Sequence, residues 1–449
     1  MTAFHIIRLA KEPIELFIVN DQQRISKGVA YAPYSKQHLL NVVAGKMSAF
    51  PDVPDHFLDW IMKREEFINK DRSIIAISFL PRHFYGVYLE EIYKTILDKK
   101  KTGATFFSTI ESRVFDIELA DDHLNLKLGN GQTLVTDFCI LAIGNHLPRN
   151  PAIKNNNFYK SEKYFRNPWY VNSVSAIDSA EPVVIIGNGL TMVDTVIGLV
   201  EQGWDNMIYS ISPNGFNILP HTKNHVKYTG LTDELQEDVT LLDVVRLVNK
   251  HRKILSKQGI LVEAVIDSLR PYTHKIWKKL SDNDRKKFMA RLRHMWGVAR
   301  HRIPAQLFDQ LDKLINAGKL HIVAGKLLDV KIENDTVIVE YFDKEKKTYF
   351  SQKAARVINC TGPETDISRL AEDNFLKKCL QKGILYQDEL KLGIRTNTET
   401  FRVMKKEGGC HNNLFTLGNN LKGELWESTA VNELRMQAKN LAERITSLL

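Results

Sequence analysis

The sequence predicts an α/β fold of two doubly wound, parallel-sheet domains, one inserted into the other, with a helical insertion. Three observations carry this reading. The stretch "EPVVIIGNGLTMVDTVIGLVEQGWDNMIYSIS" reads as strand, glycine turn, helix and strand within about 30 residues. Two more apolar strands end in a small residue and a glycine: "TDFCILAIGNHLP" before that unit and "AARVINCTGPETD" after it. That order is expected when one such domain interrupts another. The chain closes on a third glycine turn and a long helix, in "NNLFTLGNNLKGELWESTAVNELRMQAKNLAERITSLL".

Each element follows from its own residues. In "MTAFHIIRLAKEPIELFIVND", Phe4, Ile7, Leu9 and Ala10 lie near helical spacing and Lys11-Glu12-Pro13 ends the helix. Leu16 to Val19 is then an apolar run of strand length. Val183 to Ile186 is short, apolar and β-branched, as in a buried parallel sheet. Gly187 permits the tight turn, Asn188 sits at its tip, and Gly189 lets a pyrophosphate approach the backbone. Leu190 and Thr191 open a helix running to about Glu201, whose first N–H groups and positive dipole end suit a phosphate. The third fingerprint position, usually Gly or Ala, is Met192. The competing reading is a βα turn that binds nothing. A second strand, Met207 to Ile211, follows.

Residues 231–316 read as mostly helical and hold basic runs such as "NKHRKILSK" and "HKIWKKLSDNDRKKFMARLRH". "LHIVAGKLLDVKIENDTVIVEYFDKEKKTYF" then reads as three strands with turns at Asn334-Asp335 and Asp343-Lys344.

Composition narrows the function class. A hydrophobic content of 43% with 26% charged residues is that of an ordinary globular enzyme. No apolar run approaches the roughly 20 residues that span a bilayer. Lys11, Glu12 and Glu15 interrupt any signal-peptide core. Cys139, Cys360, Cys379 and Cys410 form no CxxC pair, which argues against a dithiol reductase and a zinc site and fits a reducing cytoplasm. The net charge of +9 comes without a recognisable nucleic-acid module. The expectation is therefore a solvated basic surface, part of it facing an anionic cofactor or substrate, with no nucleic-acid or membrane partner.

"GVAYAPYSKQHLLNVVAGKMSAFPDVPDHFLDWI" resembles the N-terminal signature of a family of FAD/NAD(P)-binding proteins related to the flavin-dependent N-hydroxylating monooxygenases. The likeness continues in order through "PRHFYGVYL", "LAIGNHLP", "VVIIGNGLTMVDT", "NCTGP" and "GELWESTAVNELRMQA". It implies two Rossmann-like dinucleotide-binding domains, with FAD in residues 1–180 and 363–449 and NAD(P)H in residues 181–362. It places Asn41, Ala44, Gly45, Lys46 and Met47 near the flavin, against the alternative of a surface loop. Gly144 and Gly362 would lie beside the cofactors, and Gly418 beside the ribityl or pyrophosphate chain. Glu427, Ser428, Thr429 and Ala430 would open the last helix toward the flavin, Ser428 or Thr429 being alternatively a plain N-cap.

Two departures stand out. At the end of the second strand of the NAD(P) domain, Ser212-Pro213-Asn214 replaces the arginine common in NADPH-preferring relatives. Ser212 and Asn214 can bond a ribose or phosphate without charge. Arg300, His301 and Arg302 are the candidates for the missing cation, against the reading of an exposed helix end. Asn20 stands where the FAD domain usually has Glu or Asp for the adenosine ribose, with Asp21 as a possible substitute.

The implied activity is an FAD- and NAD(P)H-dependent oxidoreductase, monooxygenase-like. Its partners would be a small molecule, such as an amine or amino acid, and molecular oxygen or another electron acceptor. A flavin reductase or dehydrogenase and a non-catalytic nucleotide-binding scaffold are the alternatives. No side chain stands out as an obligatory acid, base or nucleophile. The opening helix and strand match the first helix and second strand of the FAD unit. The expectation is that about 10 to 20 residues with the first strand and its glycine turn lie upstream of a start codon placed too late, or that the chain is a truncated, FAD-defective form. Either way, strand edges of the FAD sheet should go unpaired in the chain as given.

Overall fold

The computed structural model describes residues 1–21, 25–99, 106–222 and 226–449. The chain forms two compact units, residues 1–32, 42–145 and 364–449, and residues 33–41 and 146–363.

The first unit opens with helix α1 (Thr2–Leu9) and strand β1 (Glu15–Asn20). β1 pairs in parallel with β2 (Phe106–Glu111), Glu15 opposite Phe106 and Asn20 opposite Glu111. An antiparallel three-stranded sheet follows, from β3 (Val114–Leu119), β4 (Leu124–Leu128) and β5 (Thr133–Thr136). β6 (Cys139–Leu141) then ends at the exposed Ala142-Ile143-Gly144-Asn145 turn.

The second unit holds a seven-stranded sheet. Its strands are β7 (Tyr164–Phe165), β8 (Val183–Ile186), β9 (Ile208–Ser212), β10 (Leu320–Glu333), β11 (Thr336–Asp343), β12 (Thr348–Ala354) and β13 (Arg356–Asn359). They lie in the order β12-β11-β10-β9-β8-β13-β7. β8, β9, β13, β7 and the first part of β10 run parallel, while β11 and β12 return antiparallel beyond a shift in register at Leu327/Asp329. The short apolar strand expected at Val183 is therefore central, and all four of its residues are buried. Residues 146–180, grouped with the first domain on sequence grounds, cluster with this second unit, where β7 adds to β13. Helix α2 (Leu190–Glu201) connects β8 to β9. The insertion is helical as expected, with α3 (Leu241–Ser256), α4 (Glu263–Leu269) and α5 (Ala305–Asn316) among its helices.

The chain returns to the first unit through β14 (Arg402–Met404) and β15 (Cys410–Thr416), and ends in helix α6 (Val431–Thr446). β15 lies between β14 and β6, pairing in parallel with β6. Among the described residues, β1 is paired only with β2 and β6 only with β15, so the parallel strands of this unit stand as two separate sheets. They share apolar packing all the same: Val19 and Leu141 join one cluster, and Ile14, Ile140 and Phe415 another.

Candidate functional site

The glycine turn after β8 has the geometry its sequence requires. Gly187 has φ +99°, and a Cβ there would lie 2.6 Å from the Cys360 carbonyl oxygen, so only glycine fits. Gly187 N–H donates to Ile211 O at 2.8 Å and locks the turn to β9. The Asn188 amide donates to Phe216 O at 2.6 Å and so ties the tip to the loop after β9. Gly189 is the N-cap of α2, is exposed, and has open space where a side chain would stand. No side chain caps this end of the helix. Leu190 and Thr191 are half-buried beside it. A pyrophosphate fits this cradle: its approach over Gly189 is unobstructed, and the first turn of a 12-residue helix presents N–H groups to it.

Met192, the deviant third position, points into the core with Val183, Ile185 and Val196. Close approach to α2 is made one and a half turns later. A Cβ on Gly198 would lie 2.6 Å from Tyr34 Cε2, so glycine admits the Tyr34 ring against the helix. Burial pushes the Tyr34 phenol far up, and it stays neutral. His38 donates to Asp194 O at 2.9 Å and pins the same segment.

At the end of β9, Ser212 is buried and its Oγ accepts Gly215 N–H at 3.1 Å. Its hydroxyl oxygen thus closes the turn that the sequence reading assigned to a ribose or phosphate. Gly362 has φ +89° and open space at its Cβ position.

Within the basic cluster at 300–302 the structure sets Arg302 apart: Arg300 is half-buried and His301 exposed at the end of their helix, whereas Arg302 fits neither sequence reading. Arg302 is only 3% exposed, and its Nη1 lies 2.6 Å from Glu263 Oε1 and 3.6 Å from Asp267 Oδ2. It is a buried ion-pair residue, neither a free cation for a phosphate nor an exposed helix end. Thr222 N–H donates to Glu263 Oε2 at 3.0 Å, and His221 Nδ1 lies 3.6 Å from Oε1. Burial alone would raise the Glu263 pKa. The bonds from His221 and Thr222 and the Arg302 charge outweigh it and hold the group down at about 2. His221 Nε2–H donates to Asn41 O at 3.1 Å. His301 bonds the Gly297 carbonyl through Nδ1 at the end of its helix.

In the first unit, Ala44–Lys46 forms a 3-10 turn, not a loose surface loop. Ala44 and Met47 are each 1% exposed and packed by the protein itself, whereas Lys46 is exposed and Gly45 half-buried; Asn41, also half-buried, belongs to the second unit. A Cβ on Gly45 would meet Ala76 O at 3.0 Å. Of the five residues placed near a flavin, Asn41, Gly45 and Lys46 keep accessible surface. Asn20 ends β1, and its carbonyl accepts Ser112 N–H at 3.2 Å. Asp21, the alternative ribose ligand, is paired with Arg113 at 2.6 Å. Gly144 (φ +68°) has open space around it.

The terminal glycine turn rests on a buried polar frame that sequence reasoning missed. Gly418 N–H donates to Gln437 Oε1 and its carbonyl accepts from Ser428 Oγ, both at 2.8 Å. Thr416 Oγ1 donates to Leu141 O at 2.9 Å, and Asn420 Nδ2 to Thr416 Oγ1 at 2.9 Å. These bonds tie the end of β15 and the Gly418 turn to the end of β6. The helix α6 is capped by Ala430 without a side-chain bond, so neither Ser428 nor Thr429 is its N-cap. Glu427 is half-buried, Ser428 buried and Thr429 exposed. Thr416, Asn420 and Gln437 carried no local signal, because Thr416 and Gln437 act on backbone groups distant in sequence and Asn420, besides Thr416, reaches Leu141 O at 3.4 Å. Gly418 is buried and both its N–H and its C=O are bonded within the chain; among the described residues the first unit shows no counterpart of the open Gly187–Gly189 turn.

The geometry of both units is matched elsewhere. Residues 1–146 match the FAD-NAD(P)-binding family model. The ornithine hydroxylase of Pseudomonas aeruginosa superposes with a TM-score of 0.64 at 12% identity, covering 99% of this chain and 96% of that one. The chain has the two-domain α/β fold of that enzyme. The same fold relates it to the L-lysine 6-monooxygenase of Pseudomonas syringae (TM-score 0.64, 14% identity, 100% and 96% covered). It also relates it to the bacillithiol disulfide reductase of Bacillus cereus (TM-score 0.55, 11% identity, 100% and 95% covered). No curated protein matches the sequence significantly.

Proposed function

We propose that the protein is an FAD-dependent, NAD(P)H-using oxidoreductase that acts as a monooxygenase on a small amine or amino acid. The observation that carries this reading is the Gly187–Gly189 cradle at the centre of the second sheet, in a fold shared with ornithine and lysine hydroxylases. The second unit holds the nicotinamide dinucleotide, with its pyrophosphate over Gly189 and the first turn of α2. The first unit holds the flavin, with the Gly418 turn and the accessible Gly45 and Lys46 against it. The flavin, when bound, supplies the redox and oxygen chemistry, and this chain binds, orients and excludes water. That division of labour fits a chain with no obvious catalytic acid, base or nucleophile. Four free cysteines support a reducing, cytoplasmic setting.

The test is an absorption spectrum of the purified chain reconstituted with FAD, followed by anaerobic addition of NADH or NADPH. A flavin band that bleaches, then oxygen uptake matched by hydroxylated product when small amines are screened, is the expected result. Hydrogen peroxide without hydroxylated product would instead favour the reductase reading, whose fold relative is the bacillithiol disulfide reductase. Absence of any flavin band would leave a non-catalytic nucleotide-binding scaffold.

A further inference from the structure

The second strand of a dinucleotide-binding unit ends where the adenosine ribose lies, about 20 residues after the glycine turn. A carboxylate there bonds the free 2′-hydroxyl of NADH, and a cation there accepts the 2′-phosphate of NADPH. In this chain the position is Ser212-Pro213-Asn214-Gly215, with neither group. The structure brings a cation to it from 131 positions along the chain. Lys344, at the start of the β11–β12 hairpin, donates from Nζ to the Pro213 carbonyl at 2.5 Å.

The hairpin is built to hold that lysine there. A Cβ on Gly215 (φ +58°) would lie 2.8 Å from Ala324 Cβ, so the turn after β9 packs directly on β10. Lys344 N–H donates to Ala324 O at 2.8 Å, which anchors its backbone to the same residue. Asp343 is buried and spends Oδ1 on the N–H groups of Glu345 and Lys346, both at 2.9 Å, so the carboxylate before Lys344 serves the hairpin turn. Among the described residues no carboxylate pairs with Lys344, which is exposed. The Pro213 bond uses one of three ammonium protons and leaves two for a ligand. Exposed Lys346 and Lys347 add positive charge at the tip, and exposed Glu345 offsets one unit of it.

We infer that Lys344 is a specificity-determining residue that recognises a 2′-phosphate, which makes NADPH the preferred reductant. The inference rests on the proposed dinucleotide site in the second unit and goes beyond it by naming the cofactor and the residue that selects it.

Calorimetric titration of the full chain with 2′,5′-ADP and with 5′-AMP tests it without needing flavin or turnover. The two probes differ only in the 2′-phosphate. Wild type should bind 2′,5′-ADP about tenfold more tightly, in line with one charge-assisted bond, and the preference should shrink as salt is raised. Lys344→Ala should cut the preference to below about threefold while leaving 5′-AMP affinity unchanged, and Lys344→Arg should retain it. Equal affinity for the two probes in wild type, or an undiminished preference in Lys344→Ala, overturns the assignment and leaves the dinucleotide site standing. Failure of wild type to bind either probe overturns the site itself, and the assignment with it.

Discussion

At the scale of single residues, the two glycines of the β8 turn do different work. Gly187 is a steric necessity, with positive φ and the Cys360 carbonyl in the way of any Cβ. Gly189 has space around it, so its lack of a side chain matters for what approaches from outside. Gly187→Ala should therefore cost about 1–3 kcal/mol or more in denaturant unfolding, from backbone strain plus the clash. Gly189→Ala should leave stability within about 0.5 kcal/mol and weaken nucleotide binding instead. The buried Glu263–Arg302 pair makes a second prediction. Glu263→Gln leaves the Arg302 guanidinium buried with its nearest charge removed, and should lose about 3–5 kcal/mol. The Glu263 pKa falls from an ordinary 4.5 to about 2 in the folded state. A depressed carboxylate contributes its stability above the unfolded pKa, and that contribution is lost as pH falls from about 4.5 toward 2. Unfolding followed across that window should show an acid-dependent loss in wild type that is smaller in Glu263→Gln.

At the scale of elements, like strands have unlike surroundings. β8 is paired on both sides and wholly buried. β1 is as apolar, yet Leu16 to Val19 are only half-buried and, among the described residues, its single partner is β2. Among those residues β6 likewise has a single partner, β15. A parallel strand directs its N–H groups alternately to both sides, so one set in β1 and one in β6 has no strand to bond among the described residues. Hydrogen exchange should show those amides exchanging orders of magnitude faster than those of Val183–Ile186, which open only with the second unit. Uniform protection across β1, β6 and β8 would contradict the sheet organisation described here. Element boundaries were largely legible in the sequence. The β-branched run at 183–186, the helix from Leu190 to Glu201 and the turns at Asn334-Asp335 and Asp343-Lys344 all depend on local preferences of neighbouring residues. The N-cap of α6 was not legible, since Ser428 has the chemistry of a cap but is drawn away to the Gly418 carbonyl.

At the scale of the whole molecule, the chain builds two cores and passes between them more than once. A ligand that binds one unit should stabilise that unit's transition. In a calorimetric scan, NADP⁺ at about a hundredfold above its dissociation constant should add about 2.7 kcal/mol to the second unit, and at the same concentration that effect should shrink in Gly189→Ala. The sequence by itself determined the α/β class, the Gly187–Gly189 turn between a buried strand and a helix, and the interleaved order of the glycine-ended strands. Those features arise from periodicity and backbone preference within short windows. Only the tertiary structure decided which side chains are available to a ligand. It buried Met47, Ser212 and Ser428, consumed Arg302 in an ion pair, and assembled Thr416, Asn420 and Gln437 under the Gly418 turn. It also brought Lys344 to Pro213 across 131 positions of chain. Hydrogen bonds and charges act through space over a few ångströms, and no local pattern records which distant residues packing will bring within that reach.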